Sequence, residues 1–373
     1  MQSSCLPAVV GMPLAEVDTP CLILDLDAFE RNLRRLPDSL AGRDLRLRPH
    51  AKSHKCPHIA LRQIAFGAVG VCCQKVSEAE AMVLGGVNDV LISNEIVGTP
   101  KLRRLAALAR QAHITVCVDD AGNVDELDTV AGEFGVRLDV LVEIDVGAGR
   151  CGVSPGAAAV ALGQRIAGCR NLRFAGLQAY HGSAQHFRTV ASRRETVSGV
   201  VEHVKHTTAL LAQAGLDCSI ITGAGTGTYP LEAASGFYNE LQPGSYIFMD
   251  ADYARNEWPG SDATRFEHSL FVWTAVMSRP TQERAIVDAG LKASSIDSGM
   301  PRVAAADGVE YVSASDEHGV LTVTGAPGYA VGDKVKLIPG HCDPTVNLHD
   351  WYVCVRNDRV EALWPITARG ALL

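Results

Sequence analysis

The sequence predicts an α/β protein, a (β/α)8 barrel of the TIM type joined to a C-terminal β-domain. Three observations carry this. Between residues 45 and 246 about eight apolar strand patterns recur with polar or glycine-rich tips, and helical patterns lie between most of them. After about residue 263, short strands separated by Gly, Pro, Asp and Asn turns follow one another with no helical pattern between them. The fingerprint of a doubly wound open sheet, G-x-G-x-x-G straight after the first strand, is absent. The barrel is assigned to residues 28–262, and the β-domain to residues 263–373 together with 1–27.

The elements follow in order. Residues 20–26 (P-C-L-I-L-D-L) read as a short apolar strand, and Asp27 is placed to cap a helix over residues 28–36. The first barrel strand is L-R-L-R-P from Leu45, where apolar and basic residues alternate. Further strands are predicted over 68–73, 89–93, 114–119, 138–145, 174–181, 218–223 and 238–246. Helical patterns include 78–84, 101–112, 157–167 and 196–214. In the last third, strands are predicted over 268–277, 285–288, 309–314, 320–323, 334–337, 351–355 and 360–364.

Composition narrows the function. At 373 residues the chain can hold a barrel of about 250 residues plus a smaller domain. With 47% hydrophobic and 20% charged residues it reads as globular, not disordered. A net charge of -8 gives no reason to expect nucleic acid or an anionic membrane. No run is long and apolar enough to span a bilayer, and residues 1–13 do not read as a signal peptide. The 11 cysteines are odd in number, scattered and mostly in apolar contexts, with no C-x-x-C pair. They predict buried free thiols and a reducing compartment, the cytoplasm.

Lys52 lies just past the tip of the first barrel strand, where barrels place their chemistry, among Arg48, His50, His54 and Lys55. Crowding by cations would lower its pKa and favour attack on a carbonyl; a basic loop with a solvated lysine is the alternative, and the one this segment alone favours. At the seventh strand tip, T-G-A-G-T-G-T over 222–228 offers an anion nest that Gly244-Ser245-Tyr246 could complete; a plain turn is the alternative. The glycine-rich E-I-D-V-G-A-G-R-C-G-V loop would let Arg150 reach inward from a strand tip; a surface arginine in a turn is the alternative. Gln178, Tyr180, His181 and His186 gather after the sixth strand. His341-Cys342-Asp343 sets an imidazole and a carboxylate on one side if the segment is extended, a pair able to bind a divalent cation or simply a surface turn.

Taken together, these segments resemble the D-threonine aldolase branch of the alanine-racemase-type (fold type III) pyridoxal-phosphate enzymes. The matching stretches include R-P-H-A-K-S-H-K-C-P, V-C-C-Q-K-V-S-E-A-E, I-D-V-G-A-G-R-C-G-V, G-L-Q-A-Y-H-G-S-A-Q-H, T-G-A-G-T-G, E-L-Q-P-G-S-Y and P-G-H-C-D-P-T, and they cover nearly the whole chain. The resemblance implies that Lys52 anchors pyridoxal 5'-phosphate covalently and that Arg150 reaches its phenolic oxygen. It implies Tyr180 against the ring and Gly223, Gly225, Thr226, Ser245 and Tyr246 on the phosphate. Gln242 stands where racemases carry an arginine for the ring nitrogen. His186 would serve the substrate hydroxyl, and His341 and Asp343 would hold a divalent metal, manganese foremost, with magnesium or cobalt as alternatives. Ala224 departs from the common T-G-G-G-T-G, and alanine suits that position only if its φ is negative.

The implied reaction is cleavage of D-threonine and related D-β-hydroxy amino acids to glycine and an aldehyde, by a cytoplasmic homodimer. Rival readings are a 3-hydroxy-D-aspartate aldolase, a D-serine dehydratase and a non-catalytic pyridoxal-phosphate-binding protein. An H-x-C in place of H-x-D would favour zinc and dehydration.

Overall fold

The computed structural model describes residues 6–258, 265–305, 307–324 and 329–373. The domain boundary expected at 262–263 lies outside the described residues. Strand β1 (Cys21–Asp25) leads into α1 (Leu26–Ser39). The helix starts earlier than expected, and its first turn is capped by Asp25, whose Oδ1 accepts from the Ala28 N–H at 3.0 Å. Asp27 instead pairs with Arg356.

One compact unit comprises Pro37–Lys52, Pro57–Gly244 and Gly370–Leu373. Its strands are β2 (Arg46–Leu47), β3 (Val71–Cys73), β4 (Asp89–Glu95), β5 (His113–Val118), β6 (Leu138–Glu143), β7 (Leu172–Ala179), β8 (Ile220–Gly223) and β9 (Glu240–Leu241). Its helices are α2 (Pro57–Ala65), α3 (Val76–Leu84), α4 (Thr99–Leu108), α5 (Ala121–Phe134), α6 (Ala157–Gly168), α7 (Val190–Gln213) and α8 (Tyr229–Ala234). The eight strands form one parallel sheet in the order β2-β9-β8-β7-β6-β5-β4-β3. The ring closes between β2 and β3 through Val69 N–H to Leu47 O (2.8 Å), Cys72 N–H to Pro49 O (2.9 Å) and a parallel bridge of His50 with Cys72. This is the predicted barrel. β6 is buried at every position, because a strand with helices outside and core inside has no polar face. Cys72, Leu91, Cys117, Leu141, Ala175 and Ile220, one from each of β3 to β8, pack as a core cluster.

The second unit comprises Met1–Leu36, Ser53–Cys56 and Ser245–Arg369. It adds β10 (Leu270–Thr281), β11 (Arg284–Val287), β12 (Arg302–Val303), β13 (Val309–Ala314), β14 (Gly319–Val323), β15 (Lys334–Ile338), α9 (Cys342–Val346), β16 (Trp351–Arg356) and β17 (Arg359–Pro365). The N-terminal β1 is inserted between β10 (antiparallel) and β16 (parallel), so the first strand of the chain belongs to the C-terminal sheet. The short helix α9 corrects the expectation of an uninterrupted β-domain: it lies where H-C-D-P-T was expected to be extended. The ten described cysteines are free thiols, seven of them buried. Among the described residues no helix is long and apolar enough to cross a membrane.

Candidate active site

The C-terminal ends of the barrel strands gather one set of polar groups. Lys52 sits in a 3-10 turn, Ala51–Ser53, just beyond β2. Its N–H donates to His50 Nδ1 at 3.4 Å, while His50 Nε2 lies 2.9 Å from the Gln74 amide and 3.3 Å from the Ser93 hydroxyl. The crowding of Lys52 by cations does not hold for Arg48. That guanidinium is buried and paired with Glu240 at 3.0 Å and Asp89 at 2.6 Å, so its charge is compensated. His54 and Lys55 belong to the other unit, where the His54 carbonyl accepts from Tyr352 Oη at 2.7 Å and the Lys55 carbonyl from the Ala368 N–H at 3.1 Å.

Three consecutive strands deliver carboxylates to this end: Glu95 from β4, Asp119 just past β5 and Glu143 from β6. Ligating atoms of Glu95, Asp119 and Cys151 lie within 4.8 Å of one another. Burial pushes the Glu143 carboxyl well up, and Glu95, which shares a hydrogen bond with it, pushes it further. Burial and Glu95 also hold the Cys151 thiol up at about 11. Both shifts favour the uncharged forms of these side chains, which lie together as one acidic cluster. Arg150 lies 3.9 Å from Glu143 and 5.7 Å over the Tyr180 ring, so two of the predicted residues are brought together. The acid cluster itself was not expected, although N-E, V-D-D and V-E-I-D at successive strand tips spell it out.

Gly223 closes β8, and a Cβ there would fall 2.2 Å from the Ala179 carbonyl oxygen. Ala224 follows at φ 67, so the condition set for alanine is not met: it occupies the left-handed region that glycine favours. Gly225 and buried Thr226 continue the loop. His186, itself exposed, ends a 3-10 turn, Ser183–His186, in which Ala184 and Gln185 are buried. Gln242 and Gln178, both buried, form a reciprocal amide pair. Gln242 Nε2 donates to Gln178 Oε1 and to Thr222 Oγ1, each at 2.8 Å, and Oε1 accepts from Gln178 Nε2 at 3.3 Å. Both amide protons of Gln242 are thus committed, and what it has left to offer is a lone pair.

In the second unit Ser245 and Tyr246 occupy a buried 3-10 turn, Ser245–Ile247. His341 N-caps α9, and Asp343 lies in its first turn. The extended geometry expected for H-C-D is therefore replaced by a strand-to-helix corner. His341 Nδ1 is 2.8 Å from Asp297 Oδ2. Asp250 is buried beside both ligand candidates: burial raises its pKa, His341 lowers it and Asp343 raises it. Cys342 points into the core. Burial holds its thiol far above the ordinary value, and Sγ lies 3.6 Å from the Met249 carbonyl. Besides this buried thiol, the donors at the corner are an imidazole and a carboxylate, a set that fits a divalent cation.

Glycine and threonine at one strand tip, with a lysine, an arginine over a tyrosine and buried amides at others, match the needs of a phosphorylated aromatic aldehyde. The fold and these groups define the class: an alanine-racemase-type enzyme. Residues 24–252 match the alanine racemase N-terminal domain family, and residues 269–355 match a serine dehydratase domain family. The chain is 51% identical over 365 residues to the D-threonine aldolase of Arthrobacter sp, covering 98% of this chain and 96% of that one. It is 48% identical over 370 residues to the 3-hydroxy-D-aspartate aldolase of Paracoccus denitrificans (strain Pd 1222), with 98% and 95% covered. The crystal structure of D-threonine aldolase from Filomicrobium marinum superposes with a TM-score of 0.96 at 52% identity, covering 98% of this chain and all of that one. The chain belongs to the D-threonine aldolase family.

Proposed function

We propose that this protein is an aldehyde-lyase that cleaves D-threonine and related D-β-hydroxy amino acids between Cα and Cβ, giving glycine and an aldehyde. The reading takes pyridoxal 5'-phosphate and a divalent metal, manganese foremost, as its cofactors. Lys52 would hold the cofactor's carbonyl carbon. Arg150, braced by Glu143 and the Tyr180 face, would meet its phenolic oxygen. Gly223, Gly225 and Thr226 would hold the phosphate, with Ser245 and Tyr246 as further donors, and Gln242 would present a neutral group to the ring nitrogen. His341 and Asp343 would ligate the metal.

Pyridoxal phosphate supplies an electron sink for the pair left on Cα, and a divalent ion stabilises negative charge on a hydroxyl oxygen. His186, exposed at the end of its turn, takes the proton of the substrate β-hydroxyl directly or through water, and the electrons of that O–H bond form the carbonyl of the departing aldehyde. A proton returned to Cα completes glycine.

The observation that carries aldol cleavage over dehydration is the corner at His341. Asp343 stands with the imidazole at the start of α9, whereas the Cys342 thiol is buried against the Met249 carbonyl. A soft thiolate set would favour zinc, a stronger Lewis acid that helps expel the hydroxyl. The near-equal identity to a 3-hydroxy-D-aspartate aldolase supports that substrate as the second reading. Free cysteines support a cytoplasmic location, and the family resemblance supports a homodimer. The test is aldehyde release from a panel of D- and L-amino acids, with and without chelator. Acetaldehyde from D-threonine, stimulated by manganese and lost on chelation, is expected. Pyruvate from D-serine at a higher rate, or cleavage indifferent to chelation, would overturn the reading, and faster glyoxylate release from 3-hydroxy-D-aspartate would select the second one.

A further inference from the structure

The turn that carries His186 and the loop over 222–228 are joined by a buried side chain that the chemistry above does not use. Gln185 is 1% exposed. Its Oε1 accepts from the Gly227 N–H at 2.9 Å, and its Nε2 donates to Thr228 Oγ1 at 2.9 Å. The amide orientation follows from chemistry: a backbone N–H can only donate, so the carbonyl end faces Gly227 and the amino end faces Thr228. With one lone pair of Thr228 Oγ1 engaged by Gln185, the hydroxyl proton goes to Glu232 Oε1 at 2.7 Å. Glu232 is 4% exposed, and its second oxygen, Oε2, is buried with no hydrogen-bond partner among the described residues.

Two glycines of the loop, Gly225 and Gly227, are dictated by the same residue, the first by its side chain and the second by its backbone. A Cβ on Gly225 would fall 2.5 Å from Gln185 Oε1, and one on Gly227 would fall 2.7 Å from the Gln185 carbonyl oxygen. Contacts below 3.0 Å force a shift, so this G-x-G spacing is first a requirement of packing around Gln185. The N–H groups of Gly227, Thr228 and Tyr229 are all bonded inside the protein, the last two to the Gly225 carbonyl. They are spent on the loop's shape and not on a ligand.

We propose that Gln185 is a positioning residue which, through Thr228 and Glu232, fixes the shape of the 222–228 loop and ties it to the turn bearing His186. This rests on the reading that the loop holds the cofactor phosphate. The chain has a fixed polarity, amide to hydroxyl to carboxyl, so replacements separate geometry from bulk. Thr228→Ser keeps the hydroxyl, and Glu232→Gln keeps an acceptor oxygen on Thr228. Thr228→Val keeps the volume and removes the link, and Gln185→Glu turns a donor into an acceptor opposite Thr228.

The experiment titrates metal-reconstituted protein, stripped of its aldehyde cofactor, with pyridoxal 5'-phosphate and with pyridoxal, following protein fluorescence, with inorganic phosphate as competitor. Thr228→Val and Gln185→Glu are expected to raise the Kd of pyridoxal phosphate about tenfold, the loss of one buried hydrogen bond. They should leave the weaker Kd of pyridoxal unchanged and lower kcat more than they change KM. Thr228→Ser and Glu232→Gln should restore wild-type values. If Thr228→Val binds pyridoxal phosphate like wild type, or loses affinity for both ligands equally, the inference is overturned while the loop assignment stands. If inorganic phosphate fails to compete in the wild type, the loop is not the anion site, and the inference falls with it. If Thr228→Val does not fold, Gln185→Glu decides by the same readouts.

Discussion

Lys52 and Asp343 divide the proposed chemistry, and substitution can separate their parts. Lys52 is the amine at the tip of β2, and Asp343 is the carboxylate in the first turn of α9. Lys52→Ala is expected to bind pyridoxal phosphate only noncovalently, so borohydride reduction followed by peptide mapping should find no labelled lysine. A label retained elsewhere would move the nucleophile to another residue. Asp343→Ala should keep the reducible attachment at Lys52 and lose manganese-stimulated cleavage by about a hundredfold or more. Unchanged stimulation by manganese in that variant would remove Asp343 from the metal site. The strand-tip position of Lys52 was legible in sequence, because a period-2 pattern ending in Pro49 announces it. The neutralisation of Arg48 was not, since its partner Glu240 is 192 positions away and no local pattern reports such a pairing.

Among elements, the loop after β8 departs most from local expectation. Ala224 holds φ 67 and is 2% exposed. The left-handed region costs a residue with a Cβ roughly 1–2 kcal/mol, and glycine would relieve that. Glycine would also add about 0.4–1 kcal/mol of unfolded-state entropy and forfeit about 0.8 kcal/mol of methyl burial. Ala224→Gly is therefore expected to change unfolding free energy in urea by less than about 1 kcal/mol. Ala224→Val, β-branched in the same closed space, should cost about 2–3 kcal/mol. A valine variant as stable as the parent would show that the loop yields without resistance. The backbone angle was beyond sequence because alanine is locally compatible with negative φ. The barrel strands were legible within a few residues, as their apolar runs are bounded by turn residues, except the last, which was expected to run to 246 and ends at Leu241, before the 3-10 turn Ser245–Ile247. Helix α9 was missed because five residues starting at Cys342 are too few to show a 3.6-residue period. The cap was misplaced by two because Asp25 and Asp27 both precede apolar helical positions, and only the fold gives Asp27 to Arg356.

For the molecule as a whole, the strand ends opposite the chemistry carry an ion-pair belt whose titration should govern stability. Arg46 and Glu240 approach to 3.8 Å, Arg48 bridges Glu240 and Asp89, and Asp89 lies 3.2 Å from His113. His113 lies 2.8 Å from Asp139, which also binds Arg173. Six of the eight strands are linked this way, at the face where barrels keep stability apart from catalysis. Hydrogen bonds donated to Asp139 and Asp89 raise His113 to about 9. Burial works upward on Asp139, but its hydrogen bonds to His113 and Arg173 outweigh it and hold it near 2. A folded pKa above the unfolded value of 6.5 means that His113 contributes fully below pH 6.5 and loses its contribution as pH rises through about 9. Asp139 contributes fully above 3.8 and is lost only as pH falls toward 2. The belt is complete between those limits, on the acid side of neutrality. Since His113 is half exposed, solvent screens the pair and its share is modest. Thermal melts of the wild type and His113→Gln should accordingly differ most near pH 6, with the wild type higher, and converge by about pH 10. A gap that is constant from pH 6 to pH 10 would mean that the imidazole contributes shape alone and that the belt holds without its charge.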